Sequence, residues 1–303
     1  MSVTLVGGNE LGLLDSSYAL LNDNKRTANN QVGGDEKLYV NVSNGNLLIQ
    51  HQDAYLPSMG DDFNLVRTYN ARGAASDAHG HEDARWYFST GIRLDVRQGG
   101  QYLEVRYGDG SLYDYFWDEA RQLYVSVDGA GAYETIRDLG AIGDTDPAFE
   151  LTRADQTRLT FSKQGELLAW EDTNGVRMEY TYESDRLVQV RDDTGHEVNY
   201  TYLNGQLYQV TDETGGVLVE YRYESGRLVE VVDRMGHSTK YHYTTNGFIE
   251  RIELPSEQDA DGDGVAETYA QRDISITYET VNWRGDTKAT SQAVTSITDT
   301  GYE

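Results

Sequence analysis

The sequence predicts an all-β protein built of consecutive antiparallel β-hairpins in one continuous sheet. Two observations carry that prediction. From Gly165 to Tyr243 the chain repeats every 20 or 21 residues, and each copy closes on a Tyr-x-Tyr: Tyr180/Tyr182, Tyr200/Tyr202, Tyr221/Tyr223 and Tyr241/Tyr243. A fixed period of this length marks one supersecondary unit stacked many times. Each copy also carries two turn signals. Asp172-Thr173-Asn174-Gly175, Asp192-Asp193-Thr194-Gly195, Asp212-Glu213-Thr214-Gly215 and Asp233-Arg234-Met235-Gly236 put Asp first, where its carboxylate accepts a backbone bond, and Gly last, where positive φ meets no Cβ clash. Half a period away lie Ser184-Asp185, Asn204-Gly205, Ser225-Gly226 and Asn246-Gly247, two of them the Asn-Gly pair that most strongly signals a hairpin.

Between the turns the residues alternate, as side chains do along a strand. Val188 and Val190, Tyr208 and Val210, and Val229 and Val231 are expected on one face with the paired tyrosines. The other face carries Gln189, Asn199, Thr201, Glu220, Arg222, Lys240 and His242. Strands of about six residues, apolar on one side, are what antiparallel sheet requires.

Five regions follow in chain order. Residues 1–37 read as a leader of low order or as a plug for the end of the array: apolar residues are scattered from Leu11 to Leu21, with Asp15 or Ser16 as a helix cap, and Asn22 to Gly34 is rich in Asn and Gly. Residues 38–164 form an N-terminal β region. Leu38–Val42, Asn46–His51 and Phe63–Tyr69 are its first strands, with Asn44-Gly45 as a turn. The Ala71–Asp83 loop holds His79, His81, Glu82 and Asp83, types that bind transition metals, but without the separated second ligand pair of a structural zinc site, so it reads as a solvated loop. Arg85–Val96, Tyr102–Tyr107 and Leu112–Trp117 are strands crowded with aromatics between Trp86 and Trp117, read either as core packing or as a platform for sugars or peptides. Leu123–Val127, Tyr133–Leu139, Phe149–Ala154 and Arg158–Ser162 lead into the hairpin repeats, residues 165–254.

After a fifth copy that Pro255 interrupts, residues 255–273 form an acidic insertion. Asp259, Asp261 and Asp263 alternate before Gly264, with Val265 supplying a carbonyl at position seven and Glu267 a further carboxylate, the pattern of a calcium loop. The bidentate Glu of such loops is replaced at position twelve by Ala270, which leaves a plain acidic turn as the other reading. Residues 274–303 start further repeats, with Ile274–Tyr278 and Ala293–Tyr302 as strands. An unpaired last strand is an edge that natural β proteins avoid. The expectation is therefore a fragment of a longer protein, or an edge that a partner covers.

Composition narrows the function. Lys+Arg 25 against Asp+Glu 51 gives a formal charge of −26, which repels nucleic acid and anionic membrane and keeps a large sheet soluble. There is no Cys, so disulfides and thiolate metal sites are excluded. No apolar run approaches the roughly 18 residues of a spanning helix, and Met1-Ser2-Val3-Thr4-Leu5 lacks the basic start of a secretory signal. No nucleophile elbow, phosphate loop or His-Glu-x-x-His occurs, and His196 and His237 occupy equivalent turn positions, as repetition explains. An enzyme is not expected.

The repeat resembles the tyrosine-aspartate repeat of the Rhs family: Gly165-Glu166-Leu167, Gly205-Gln206-Leu207 and Gly226-Arg227-Leu228 open copies in the family manner, and Asp185-Arg186-Leu187 replaces the opening Gly by Asp. Upstream, Asn44-Gly45-Asn46-Leu47, Asp53, Arg67-Thr68-Tyr69-Asn70, Trp86 and the Tyr107–Ser111 turn are similar to the segment that opens such repeats, so the likeness runs from about Leu38 to Leu254. The resemblance implies a curled, spiralling single sheet, part of a shell or barrel-like cocoon, as in Rhs polymorphic toxins, toxin-complex B and C components and teneurins. It implies a secreted or cell-surface protein whose shell encloses a C-terminal effector absent from this chain, with the remainder of its own longer chain, a delivery apparatus or a host surface as partners. The segment with which such proteins release their toxin has no counterpart here. The alternative is a calcium-stabilised adhesin or glycan- or protein-binding module using the aromatic strands.

Overall fold

The computed structural model describes residues 37–41, 45–57, 62–73, 85–126, 133–141, 143, 146–255, 257–258, 267–268, 273–282 and 290–299. The first four strands, β1 (Lys37–Asn41), β2 (Asn46–Leu56), β3 (Phe63–Asn70) and β4 (Trp86–Phe88), form an antiparallel sheet of their own in chain order, the front sheet. A long ribbon begins with β5 (Arg93–Arg97), β6 (Tyr102–Arg106), β7 (Leu112–Asp118), β8 (Leu123–Val125), β9 (Thr135–Asp138), β10 (Phe149–Thr152), β11 (Arg158–Phe161) and β12 (Leu167–Glu171). It continues through β13 (Arg177–Glu183), β14 (Arg186–Asp192), β15 (Glu197–Leu203), β16 (Gln206–Asp212), β17 (Val217–Glu224), β18 (Arg227–Asp233), β19 (Ser238–Tyr243) and β20 (Ile249–Glu253). A two-strand pair, β21 (Glu257–Gln258) with β22 (Glu267–Thr268), intervenes before β23 (Asp273–Asn282) and β24 (Thr290–Asp299). Each ribbon strand pairs antiparallel with its neighbours in the chain, β20 passing directly to β23. The protein is therefore all-β, as expected, and its ribbon is open rather than a barrel. Among the described residues no helix is long and apolar enough to cross a membrane.

Both turn rows form for the reasons read from the sequence. In the first row one oxygen of each leading Asp accepts the amides two and four residues on: Asp192 takes those of Thr194 and His196 at 2.9 Å, and Asp233 those of Met235 and His237 at 2.8 Å. Gly195 and Gly236 follow at φ 96° and 87°, the conformation that only glycine adopts without strain. In the second row Ser184-Asp185, Asn204-Gly205 and Ser225-Gly226 have both central residues at positive φ, for example Asn204 at 52° and Gly205 at 90°, as a tight twisted hairpin demands, whereas at Asn246-Gly247 only the Gly does.

The phase of the strands differs from the expected alternation. Tyr180 pairs with Val190 but Tyr182 pairs with Leu187, so Val188 is an extra residue in a β-bulge, and the same irregularity precedes Tyr202, Tyr223 and Tyr243. One inserted residue shifts the side-chain period by one. The buried pairs are accordingly Leu187 with Val190, Leu207 with Val210 and Leu228 with Val231, not residues two apart. Tyr208 is the extra residue of its own strand and stays half-buried, its hydroxyl 3.4 Å from Glu220.

Within this fold the described residues hold two apolar clusters. One lies inside the first turn of the ribbon, where Leu103, Tyr115, Leu151, Leu159 and Phe161 are fully buried. Here the ribbon curls back on itself: Arg93 bridges Glu166, and the Leu94 amide donates to the Gly165 carbonyl at 3.0 Å. A Cβ on Gly165 would sit 1.8 Å from the Leu94 carbonyl oxygen, so the contact needs glycine. The second cluster is the front sheet packed on the repeats, with Leu47, Leu65 and Tyr69 against Val210, Tyr221 and Ile252. Strands of similar composition have thus separated into two layers, the arrangement that buries an apolar sheet face.

The departure at Asp185 is explained by this geometry. Asp185 takes φ 68°, which costs a non-glycine residue about 1 kcal/mol. In exchange its carboxylate accepts a bond from Arg93 Nη2 at 2.7 Å, tying the ribbon's first turn to the first repeat. Arg93 is only 10% exposed, so losing its partner costs more than the strain released.

Two predictions follow from these features. Leu228→Ala is expected to destabilise the protein by about 2–5 kcal/mol and Val229→Ala by under about 1 kcal/mol in chemical denaturation; equal losses would place the bulge wrongly. Asp185→Gly should destabilise by about 1 kcal/mol in the native background and stabilise once Arg93 is Met, a reversal of sign read from a double-mutant cycle. The same sign in both backgrounds would remove the ion pair from the explanation.

Candidate functional site: the seam between the front sheet and the repeats

Along β3 the residues Phe63, Leu65, Arg67 and Tyr69 share one buried face, so a guanidinium is carried into an apolar layer. Arg67 and Asp53 are both wholly without exposed side-chain surface. Arg67 Nε donates to Asp53 Oδ2 at 2.9 Å and Nη2 to Oδ1 at 3.0 Å, a bidentate pair between β3 and β2. The remaining valences reach the ribbon. Arg67 Nη1 donates to the Tyr241 hydroxyl at 2.7 Å, and the Tyr221 hydroxyl donates to Asp53 Oδ2 at 2.7 Å. Both tyrosines are the first of their repeat's pair. The guanidinium also lies over the rings of Trp86 and Tyr241, 4.7 and 5.2 Å from their centroids.

Electrostatics follow from this enclosure. Burial alone would raise the Asp53 pKa, but the Arg67 charge and the hydrogen bond from His51, 2.9 Å away, outweigh it and hold the group at about 2. Burial, with the Asp53 charge beside it, pushes Tyr221 well above the usual phenol range, so it stays a donor.

The rest of the seam repeats the theme of tyrosine from one layer bonding the other. Trp86 Nε1 donates to the Tyr243 hydroxyl at 2.9 Å, which donates to the Leu228 carbonyl at 2.6 Å. The Ile249 amide donates to the Tyr69 hydroxyl at 3.3 Å. Arg85 lies 4.3 Å from the Phe248 ring centroid and donates to the Gly247 carbonyl. Asn46 Nδ2 donates to Asn70 Oδ1 at 3.0 Å within the front sheet. Sequence reading placed Asp53 and Arg67 in the opening segment without giving them a role. The available signal was the charge of Arg67 at an apolar period-two position.

Where the β2–β3 hairpin meets the first turn row there is a cleft of about 220 Å³. Leu56, Phe63, Met178, Val190 and Val198 line it together with Asp192, Asp212, Glu213 and His196. The Thr214 hydroxyl and the Gly216 amide, bonded to Asp212, hold that carboxyl below its usual range.

The aromatic strands divide. Tyr107, Tyr113 and Tyr115 are core, with Tyr107 and Tyr115 both donating to Glu134 at 2.5 Å. Outside, Tyr102 and Phe116 stack at 5.4 Å with Phe116 49% exposed, and Trp117 meets Tyr124 edge-on at 5.0 Å. Asp259, Asp261, Asp263 and Val265 of the calcium loop lie outside the described residues, as do His79, His81, Glu82 and Asp83. Glu267 begins β22, pairing with Gln258, and its side chain lies outside the described residues too. Among the described residues no three His, Asp or Glu side chains are grouped to hold a metal ion.

A family model described as a domain of unknown function, DUF6531, matches residues 39–115, from β1 into β7. No curated protein matches the chain. Among solved structures, a chain of the crystal structure of TcdB2-TccC3-Cdc42 is similar at 11% identity and a TM-score of 0.32, over 83% of this chain. This chain spans 16% of that chain's length.

Replacing one member of the buried pair strands the other: Asp53→Asn is expected to cost about 3–5 kcal/mol, and Asp53→Leu with Arg67→Met to recover most of it. A single-variant loss below about 1 kcal/mol would deny the pair its role. Because the folded pKa of Asp53 lies below its unfolded value, its contribution is complete above about pH 4 and is lost as pH falls through about 2. Acid titration of Asp53→Asn should lack that window.

Proposed function

We propose that the chain is the capped opening of a shell wall in an Rhs-type secreted toxin, helping to enclose a C-terminal effector that another part of the protein supplies. The observation that carries the reading is the chemical division of the ribbon. Its tyrosine face is apolar and covered by the front sheet over the repeats, while the opposite face carries charge pairs such as Arg222 with Glu220 and Glu230 and Arg177 with Glu171 and Glu179. A sheet with one apolar-aromatic and one solvated face separates two compartments, and confinement of a cargo needs that separation. The Rhs likeness of the repeats and opening segment supports the same reading, as does the run of one hairpin design through consecutive copies. The effector, the delivery apparatus and the secreted or surface location belong to this proposal.

A second reading, a calcium-stabilised adhesin or glycan-binding module, draws on the exposed Tyr102–Phe116 stack, since aromatic faces pack against sugar rings. One comparison separates them. Intact mass of the native gene product from producing cells and medium should exceed 34.0 kDa severalfold, with a C-terminal domain that resists protease until the wall is unfolded. A native product ending at Glu303, together with calcium-dependent binding on a glycan array, would favour the adhesin instead.

A further inference from the structure

The cleft of about 220 Å³ between the β2–β3 tip and the first turn row joins two chemistries. Among its lining residues Phe63, Met178, Val190 and Val198 are buried, whereas Glu213, Thr214 and His196 are exposed, so the apolar part is the inner one. The turn carboxylates are held alike. Asp192 Oδ1 accepts the Thr194 and His196 amides at 2.9 Å, Asp212 Oδ1 those of Thr214 and Gly216 at 3.0 and 2.8 Å, and Glu213 Oε2 that of Glu197 at 3.3 Å. Each is fixed through one oxygen. Asp212 and Glu213 form no ion pair with a described lysine or arginine, and Arg234, on the next turn of the row, acts on Asp212 without pairing with it.

We propose that the cleft is a docking site for one lysine side chain on an extended segment of another protein, its methylenes on Phe63, Met178 and Val190 and its ammonium at the carboxylates of Asp192, Asp212 and Glu213. Charge complementarity selects a cation, because these carboxylates belong to a chain of formal charge −26. The apolar inner wall selects a long aliphatic stem, which lysine buries while its head stays near water. Arginine fits less well: its fork seeks both oxygens of a carboxylate, and here one of each is already spent on a backbone amide. The volume is below the roughly 300–1,000 Å³ of small-molecule pockets and suits a single side chain. A free amine would gain only a few buried methylenes and partly solvated charge contacts, about millimolar affinity at best, so the lysine is one that a longer segment presents. The inference does not rest on the shell reading, and each can fail without the other.

The test is a methyl NMR titration of the full chain labelled with ¹³C-methyl methionine, following the Met178 signal, which is assigned by its loss in Met178→Leu. The probe is the capped peptide acetyl-Ala-Ala-Lys-Ala-Ala-amide, and the expected result is a saturable shift of that signal. The same peptide with norleucine for lysine, which keeps the stem and lacks the ammonium, should give none; its arginine counterpart should bind several-fold more weakly, and butylammonium about tenfold more weakly. Asp212→Asn with Glu213→Gln keeps the acceptors for the turn amides and should weaken the lysine peptide about fivefold, as the loss of two largely solvated ion pairs implies. Near-UV circular dichroism checks the fold, and Glu213→Gln alone serves if the double variant does not fold. No saturable shift, equal binding of the norleucine, arginine or butylammonium probe, or an affinity unchanged in the variants overturns the proposal. So does a nuclear Overhauser contact from the Met178 methyl to a segment of this same chain that the peptide does not displace.

Discussion

A guanidinium buried without water must meet its hydrogen-bonding needs from the protein, and the position of Arg67 is governed by that requirement. Asp53 neutralises it within the front sheet, but the pair is satisfied in full only when Tyr241 accepts from Arg67 and Tyr221 donates to Asp53. Those tyrosines stand on neighbouring hairpins of the ribbon, so the front sheet must sit where two consecutive first tyrosines reach the pair. Sliding it by one strand would leave a buried charge without its hydroxyls, at a cost of several kcal/mol. Apolar surface drives the two layers together, since Leu47, Leu65, Val210 and Ile252 lose all contact with water. It would do so nearly as well in neighbouring registers. Selection among registers comes from the charge.

That seat depends in turn on the phase of the repeats. The bulge before the second tyrosine lets Leu and Val three residues apart face the front sheet together, and it recurs at the same place in consecutive hairpins. A bulge sharpens the local right-handed twist. When each hairpin carries the same one, the increments add in one sense, and the ribbon keeps a common direction of curl. The first tyrosine of each pair is thereby held inward at a regular spacing, so the repeats offer a row of hydroxyls to whatever covers them. Tyr221 and Tyr241 are members of that row that the front sheet engages.

Much of the ribbon was legible because its turns are local chemistry. An Asp that caps two amides and a Gly at positive φ are set by residues four apart, and they read correctly in every copy. The bulge was not legible: one extra residue leaves composition and turn spacing unchanged, and alternation counted from either end of the strand is then wrong in the middle. The seam was half legible. Arg67 on a face with Phe63, Leu65 and Tyr69 is anomalous by period alone, but its partners are Asp53, 14 residues away, and Tyr241, 174 residues away. Nothing in the pattern of β2 or β19 points to that meeting. The division of the first strands into a separate layer was hidden for a related reason, since alternating apolar strands look alike whether they extend a sheet or cover one.

The substitution at Asp185 shows how such long-range demands mark a local motif. Every other second-row turn with a central pair at positive φ ends on Gly, and a carboxylate there is strained. The strain is tolerated because this turn faces Arg93, which the curl of the ribbon has buried with its Nε unbonded. Trp170 and Tyr180 pack against both apolar clusters beside it, so the joint between the ribbon's first turn and the repeats has an ionic contact and an aromatic one. Arg93–Asp185 and Arg67–Asp53 therefore act alike at two interfaces. In the first an arginine meets its carboxylate, and in the second an arginine–aspartate pair meets its tyrosine hydroxyls, only in the correct docking. In a repeat protein, where every copy resembles the next, such unique pairs distinguish one copy from another, and a departure from the repeat consensus is where to look for them.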